Sequence, residues 1–315
     1  MSAPRPARGF AIALLAAAIL SSTGILIRYL GLRYHLPALV MAFWRDLFVV
    51  ATLVPGFALG RRDLLRIERR HLPFLAGYGV ILALFNVLWT LSVTCNGAAV
   101  ATVLVYCSGA FGVFLGRLLL GEGLGPAKLL ASALSLAGCA LVAEALHASA
   151  WRANPAGILT GLFSGLAYAG YSLMGRSAAQ RGLEPWTTLV WIFGFAALVL
   201  LLGNLLPGGP LPGSARHPAE LFWLGTSAQG WGVLFLLAAG PTVAGFGLYL
   251  VSLTHLPASV ANLVVSLEPA FTALSAYLLL GERLGPVQMA GGLMIMAAVA
   301  LLRISEGRAA PLRVR

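Results

Sequence analysis

Three ionisable side chains stand inside apolar runs: Arg45 and Asp46, adjacent in AFWRDLFVV, and Glu268, beside Pro269 in LEPAFTAL. A charge kept at bilayer depth pairs, faces water or acts. Arg45 could bind a ligand carboxylate, pair with a neighbouring helix, or snorkel to the surface. Adjacent residues on a helix point about 100° apart, so Arg45 and Asp46 should face different neighbours rather than form one simple face. Glu268 could carry a proton, or serve the proline kink beside it. Uncharged groups recur at helical spacing nearby. Tyr78, Leu82, Phe85 and Trp89 follow i, i+4, i+7 and i+11 on one face, with Asn86 adjoining. Thr102 and Tyr106 share a face, as do Asn262 and Ser266, and Ser164, Tyr168 and Tyr171. An unpartnered amide in hydrocarbon is costly, so Asn86 and Asn262 should line a cavity or find partners. Tyr78, Asn86, Trp89, Tyr106, Tyr168, Trp191, Tyr249, Asn262 and Ser266 are therefore the candidate lining of a pocket with little fixed charge. Ordinary packing is the competing use of an aromatic stripe. No Ser/His/Asp set, HExxH, phosphate loop or Cys/His metal spacing occurs. His35, His71, His147, His217 and His255 lie at or near loops, and Cys95, Cys107 and Cys139 sit in apolar stretches without CxxC spacing. No catalytic residue, metal or cofactor is expected.

The elements that position these groups follow from composition. Of 315 residues, 59% are hydrophobic and 10% charged, with mean hydropathy +0.90. A soluble domain carries about 25% charged residues, so a soluble enzyme is excluded, and disorder with it. Apolar runs cover 10–30, 38–59, 72–94, 97–119, 126–147, 155–175, 186–206, 227–253, 257–280 and 286–303. Each is near the ~20 residues that cross ~30 Å of hydrocarbon. They are continuous rather than alternating, which favours helices over a barrel. The first run exceeds a signal-peptide core of ~7–15 residues and reads as a retained span. The expectation is an all-α membrane protein with ten transmembrane helices. The loop 207–226 is Pro/Gly-rich, with an interfacial turn at Leu221–Leu224. Gly112 and Gly116, mirrored by Thr272 and Ala276, and Gly161 and Gly165 suit close helix packing or sliding surfaces. Pro269 should kink span nine, and Gly109 allows a softer bend at the equivalent point of span four. Paired bends there would make a hinge.

The net charge of +11 does not point to nucleic acid, because the basic residues lie between and beyond the apolar runs. With a cytoplasmic N-terminus, fifteen of the 21 basic residues are cytoplasmic: Arg5, Arg8, Arg61, Arg62, Arg66, Arg69, Arg70, Arg117, Lys128, Arg176, Arg181, Arg303, Arg308, Arg313 and Arg315. Five are outside (Arg28, Arg33, Arg152, Arg216, Arg283) and Arg45 is within a span. The positive-inside rule then places both termini in the cytoplasm. Trp151, Trp186 and Trp223 fall near span ends, as interfacial aromatics do.

The chain also repeats itself. LLLGEGLGP at 118–126 returns as LLLGERLGP at 278–286, an offset of 160 that also aligns Ser92 with Ser252, Thr94 with Thr254, Ala98 with Ala258, Ala101 with Ala261 and Phe111 with Phe271. Earlier in each half the offset is 148, pairing Gly9 with Gly157, Arg28 with Arg176 and Pro37 with Pro185. The halves are residues 1–147 and 148–315. Five spans per half is odd, so the second half must enter the membrane from the opposite side: two inverted five-helix repeats. Carriers built this way bind substrate between the halves near the midplane. Ser108-Gly109 stands where the second half has Glu268-Pro269, so any role of that pair exists once. Glu122 and Glu282, in the repeated turn, should cap or pair at helix starts.

With LVYCSGAFGVFLGRLLLGEGLGPAKLLA in the first half, LEPAFTALSAYLLLGERLGPVQMAGG in the second, AFWRDLFVV in span two and GLFSGLAYAGYSLMGR in span six, the chain resembles the EamA-type members of the drug/metabolite transporter superfamily over essentially its whole length. The resemblance implies secondary transport of small metabolites, often export of amino acids, in the bacterial cytoplasmic (inner) membrane, with an aromatic amino-acid exporter as the nearest subgroup. The implied partners are a small-molecule substrate and membrane lipid, with no nucleic acid and no obligate protein partner. The alternative is proton-coupled efflux of lipophilic cations, which needs a buried carboxylate; spans one and six have none. A phosphate-ester or nucleotide-sugar carrier would want several basic residues in its cavity, and only Arg45 is near. A membrane enzyme or scaffold has no motif in its favour.

Overall fold

The computed structural model describes residues 6–142, 155–209, 211–271, 274 and 285–309, without the side chains of Arg28, residues 93–100, Thr102, Arg303 and residues 306–309. The expectations for Thr94, Cys95, Ala98, Thr102, His147, Trp151, Thr272, Ala276 and Glu282, and for the boundary at residue 147, lie outside what is described.

The described residues form helices and turns, with no strand among them. The helices are α1 (Pro6–Leu20), α2 (Thr23–Tyr34), α3 (Ala38–Gly60), α4 (Leu72–Tyr106), α5 (Ser108–Leu120), α6 (Pro126–Val142), α7 (Pro155–Gln180), α8 (Pro185–Asn204), α9 (Ala228–Leu237), α10 (Gly247–Leu253), α11 (Ala258–Val265) and α12 (Pro286–Ala309). Among the described residues, six segments are long and apolar enough to cross a membrane: Pro6–Tyr34, Ala38–Gly60, Arg69–Ser92, Val103–Leu120, Pro185–Asn204 and Ala228–Leu253. Pro126–Val142, Ala258–Phe271 and Pro286–Leu302 are shorter apolar helices. α7 has the length, at 26 residues, but it carries Ser164, Tyr168, Tyr171 and Ser172, all buried in protein.

Four spans differ from expectation. The first is broken at Ser21–Ser22, whose hydroxyls donate to the carbonyls of Ala18 (2.6 Å) and Ile19 (2.8 Å); such local bonds compete with the helix ladder. Span eight is interrupted by a π-helical stretch, Ala238–Phe246. Pro241 there has no N–H to give, and the widened turn lets the Thr242 hydroxyl reach the Leu237 carbonyl at 2.7 Å. The two interruptions face each other: a Cβ at Gly245 would meet Leu20 at 2.5 Å. In place of spans 72–94 and 97–119, α4 is helical without a gap to Tyr106 and the break comes at Cys107. The chain nevertheless doubles back within α4. A Cβ at Gly161 would lie 2.6 Å from Ser92 Oγ and 2.8 Å from Leu104 Cβ, whereas twelve residues of straight helix separate their ends by roughly 18 Å. In the second half the corresponding interruption is the turn at Ser266–Leu267, and Cys107 and Leu267 are related by the 160-residue offset.

Packing joins the halves throughout. Asn204 Nδ2 reaches Leu39 O at 3.2 Å while Gly194 lies by Val50, so α3 and α8 run antiparallel. Gly109 meets Leu263 and Gly112 meets Ser259, making α5 and α11 antiparallel as well. Gly138 meets Ile295 and Gly291 meets Val142, so α6 and α12 do the same. At that crossing a Cβ on Gly138 would stand 2.7 Å from Gly291 O, and one on Gly291 equally close to Gly138 O; only glycine lets the backbones touch. The first part of α4 lies antiparallel along α7, through Ser92 Oγ donating to Gly157 O (2.9 Å) and Phe85 against Tyr168 (5.1 Å). α1 lies likewise along the π stretch and α10, with Gly9 on Leu256 and Leu20 on Gly245. Gly161 and Gly165 pack directly on Leu104 and Val105.

The ends of the bundle differ in charge. Arg61 lies in the field of Glu184, Arg181 stacks over Phe74 at 4.3 Å, and Arg176 donates to Leu253 O at 2.7 Å. These contacts gather the segments 60–72, 176–185 and 253–258 at one end, with Arg62, Arg66, Arg69 and Arg70 among them. At the other end Trp44 donates to Leu221 O (2.6 Å) and Trp223 to Tyr34 O (2.9 Å). The turn expected at Leu221–Leu224 overlaps a 3-10 helix, Pro218–Phe222, and Phe222 and Trp223 are exposed beside it.

Candidate functional site

The intramembrane charges of α3 form one buried cluster with Asn86 of α4. Arg45 donates to Asn86 Oδ1 at 2.5 Å and to Asp46 Oδ1 at 3.3 Å, and Asn86 Nδ2 donates to Asp46 Oδ2 at 3.0 Å. Arg45 and Asp46 therefore do pair, contrary to the expectation from their 100° separation. The long arginine side chain curls back, and Asn86 completes the ring by accepting from one and donating to the other. Three groups that would each be costly alone in hydrocarbon thus satisfy one another, and Arg45 is committed to its neighbours rather than extended to a ligand.

Next to this cluster the aromatic groups converge. The rings of Tyr168, Tyr171 and Tyr249 lie mutually near-parallel at centroid separations of 6.0–6.1 Å. Tyr78 tilts against Tyr171 at 5.0 Å, Phe85 against Tyr168 at 5.1 Å, and Phe246 stands edge-on to Tyr171 at 5.7 Å. α7 supplies the centre of this layer because Tyr168 and Tyr171 are one turn apart on the face that meets α4 and α10. A Cβ at Gly175 would stand 2.8 Å from Tyr78 Oη, so a glycine there admits the phenol. The hydroxyls of Tyr78 and Tyr171 lie against each other in this layer, and the indole N–H of Trp191 is buried without a hydrogen-bond partner.

A polar chain crosses the seam from this layer. Tyr249 Oη donates to Ser172 Oγ (2.7 Å), Asn262 Nδ2 donates to the same oxygen (3.1 Å), and Ser108 Oγ donates to Asn262 Oδ1 (3.0 Å). It links α10, α7, α11 and α5. Both candidate asparagines are thus bonded through both ends of the amide. Deeper along α11, Ser266 Oγ shares a short hydrogen bond with Ser135 Oγ of α6. Glu268 accepts from Tyr106 Oη at 2.8 Å, tying the single Glu-Pro pair to the first half. Gly109 and Pro269 are buried close to the breaks at Cys107 and Ser266–Leu267.

Of the residues picked out by spacing, Tyr78, Asn86, Tyr168, Tyr249 and Asn262 meet in this region, and Tyr106 meets Glu268 across the halves. Trp89 is half-buried at the core's margin, and Trp191 pairs with Phe195 of its own helix at 6.1 Å. Ser172, Ser108 and Phe246 were not among the candidate lining. Ser172 is one turn beyond Tyr168, so helical spacing could have found it; Ser108 gave no signal beyond standing where the second half has Glu268. Among the described residues no group of three His, Cys, Asp or Glu converges as a metal site would need.

Comparison with known proteins adds the following. The sequence model of the EamA-like transporter family matches residues 7–143 and again residues 155–304. An uncharacterized transporter of Pseudomonas aeruginosa is 27% identical over 306 residues, covering 96% of this chain and 95% of that protein. A probable terminal-alkyne amino-acid exporter of Streptantibioticus cattleyicolor is 27% identical over 259 residues, 80% of each chain. A protein of known crystal structure superposes with a TM-score of 0.77 at 15% identity, covering 97% of this chain and all of the other; that likeness concerns the fold.

Proposed function

Since the chain belongs to the EamA-like transporter family and is thus a membrane transporter rather than an enzyme, we propose that it exports amino acids or similarly small metabolites across the bacterial cytoplasmic membrane by alternating access. The observation that carries this reading is the polar chain Tyr249–Ser172–Asn262–Ser108 under the tyrosine layer, built by helices of both halves. Its groups are amides and hydroxyls on aromatic walls. Such a lining binds a small zwitterion or amphiphile moderately and releases it, as a carrier must. The relative named as a probable amino-acid exporter weighs the same way.

The halves are read as inverted five-helix repeats meeting at this seam. In support, α3 and α8, and α6 and α12, which are repeat-equivalent pairs, each run antiparallel. A parallel repeat would orient equivalents alike. The family model fits once to each half. Rocking of one bundle against the other would bend the chain at Cys107 and at Ser266–Leu267, with Gly109 and Pro269 as hinge residues. The end rich in arginine is taken as cytoplasmic.

The test is uptake by purified protein in liposomes, using labelled amino acids and a lipophilic cation, with and without a pH gradient. Saturable amino-acid uptake independent of the gradient is the expected result. The second reading, proton-coupled cation efflux, draws on Glu268 held by Tyr106 beside aromatic faces that attract cations. Gradient-driven cation flux abolished by Glu268→Gln would replace the first reading with the second.

A further inference from the structure

At the arginine-rich end a contact between the halves bears directly on access to Asn262. α5 stops at Gly121, which takes φ 64°, and the Glu122 amide closes back on Gly116 O at 3.0 Å. This sharp stop turns the Glu122 carboxylate under its own helix, onto Gly116, where a Cβ would stand only 2.9 Å from Oε2. From there it reaches the other half. Oε1 accepts the Ala258 backbone N–H at 2.8 Å, and Oε2 accepts a short hydrogen bond from Ser259 Oγ. Lys128 Nζ donates to Ser259 Oγ at 3.2 Å and lies 3.8 Å from Glu122 Oε2, with the two charged side chains 9% and 10% exposed. The Ala258 N–H is one of the donors that the start of a helix leaves without an intrahelical partner, and a carboxylate satisfies it with favourable charge. The cap of α11 is thus supplied from 136 residues away. Beside it, Arg176 is bonded to Leu253 O within the field of Glu122. Asn262 lies one turn further along α11.

We infer that Glu122, with Lys128, is the clasp that holds this end of the carrier shut, and that its release from Ala258 and Ser259 is the step that opens a path from the arginine-rich face to Asn262. The inference rests on the carrier reading above, because a clasp matters only if the end must open. Glu122 acts here as a positioning residue, through α11, and touches no substrate.

Two measurements test it on the full chain, with Cys95, Cys107 and Cys139 replaced by alanine. Leu253→Cys, buried beside the clasp, is exposed to a membrane-impermeant thiol reagent in inside-out vesicles. Adding Glu122→Gln should raise the labelling rate roughly tenfold, the effect of weakening a charge-assisted bond. An unchanged rate overturns the inference. In the second, Gly112→Cys and Ser259→Cys are combined; a Cβ at Gly112 lies 3.9 Å from Ser259 Cα, within disulfide reach. Oxidation should stop transport and a reductant restore it, and full-rate transport by the cross-linked protein overturns the inference even where Glu122→Gln fails to fold. If the parent moves no substrate of the panel, the carrier reading falls, while the labelling rates still report on the clasp.

Discussion

The ring of Arg45, Asp46 and Asn86 shows how charge is kept at membrane depth without being offered to a ligand. Removing one member strands the others. Asp46→Ala should therefore cost about 3–5 kcal/mol, seen as a large fall in melting temperature in detergent, whereas Arg45→Met combined with Asp46→Leu should recover most of it. A double variant no more stable than Asp46→Ala alone would mean that the ring is not the reason for the loss. For Asn262 the expectation is functional. Asn262→Ala, and Trp89→Ala at the edge of the core, should impair transport with expression retained, and unchanged kinetics in both would remove them from the binding site. The identity of most of these residues was legible, because an amide or carboxyl in an apolar run stands out. Their partners were not. Arg45 bonding its own neighbour depends on a side-chain path that backbone spacing does not encode, and Ser108 became visible only through Asn262.

Helices α6 and α12 meet at Gly138 and Gly291 with backbone against backbone. Gly291→Val should force them apart and destabilise the protein by about 1–3 kcal/mol, measurable as thermal unfolding in detergent, whereas Gly232→Ala on α9, with open space around it, should not. Equal melting temperatures for the two variants would contradict the packing described. The apolarity of the elements could be read directly, as could places for bends near Gly109 and Pro269, since proline and glycine announce themselves; the lengths of α4, α5 and α11 could not. The π stretch at Ala238–Phe246 and the break at Ser21–Ser22 could not. Each exists because the other side of the contact accommodates it, with Leu20 set into Gly245.

For the whole molecule, the two ends divide the basic residues unequally, and among the described side chains Arg33 and Arg216 are the basic groups toward the Trp223 end. Cysteines placed at residues 61–70 and 121–125 should be unreactive toward impermeant reagent in whole cells and reactive in inside-out vesicles; labelling of either segment from outside would reverse the orientation. Composition determined that this chain lives in a membrane, because so few charges cannot clothe a water-facing surface. The repeated LLLGE–LGP turn pointed to a chain built twice, and the family model matches it at residues 7–143 and 155–304. Both are properties of the chain read locally or against itself. What tertiary structure decided is the company each polar group keeps: which half caps α11, which tyrosines form the layer, and which asparagine bonds which serine. Those choices bring together residues far apart in the chain, up to 154 positions for Ser108 and Asn262, and hydrocarbon favours them, since a buried donor left unpaired there is costly.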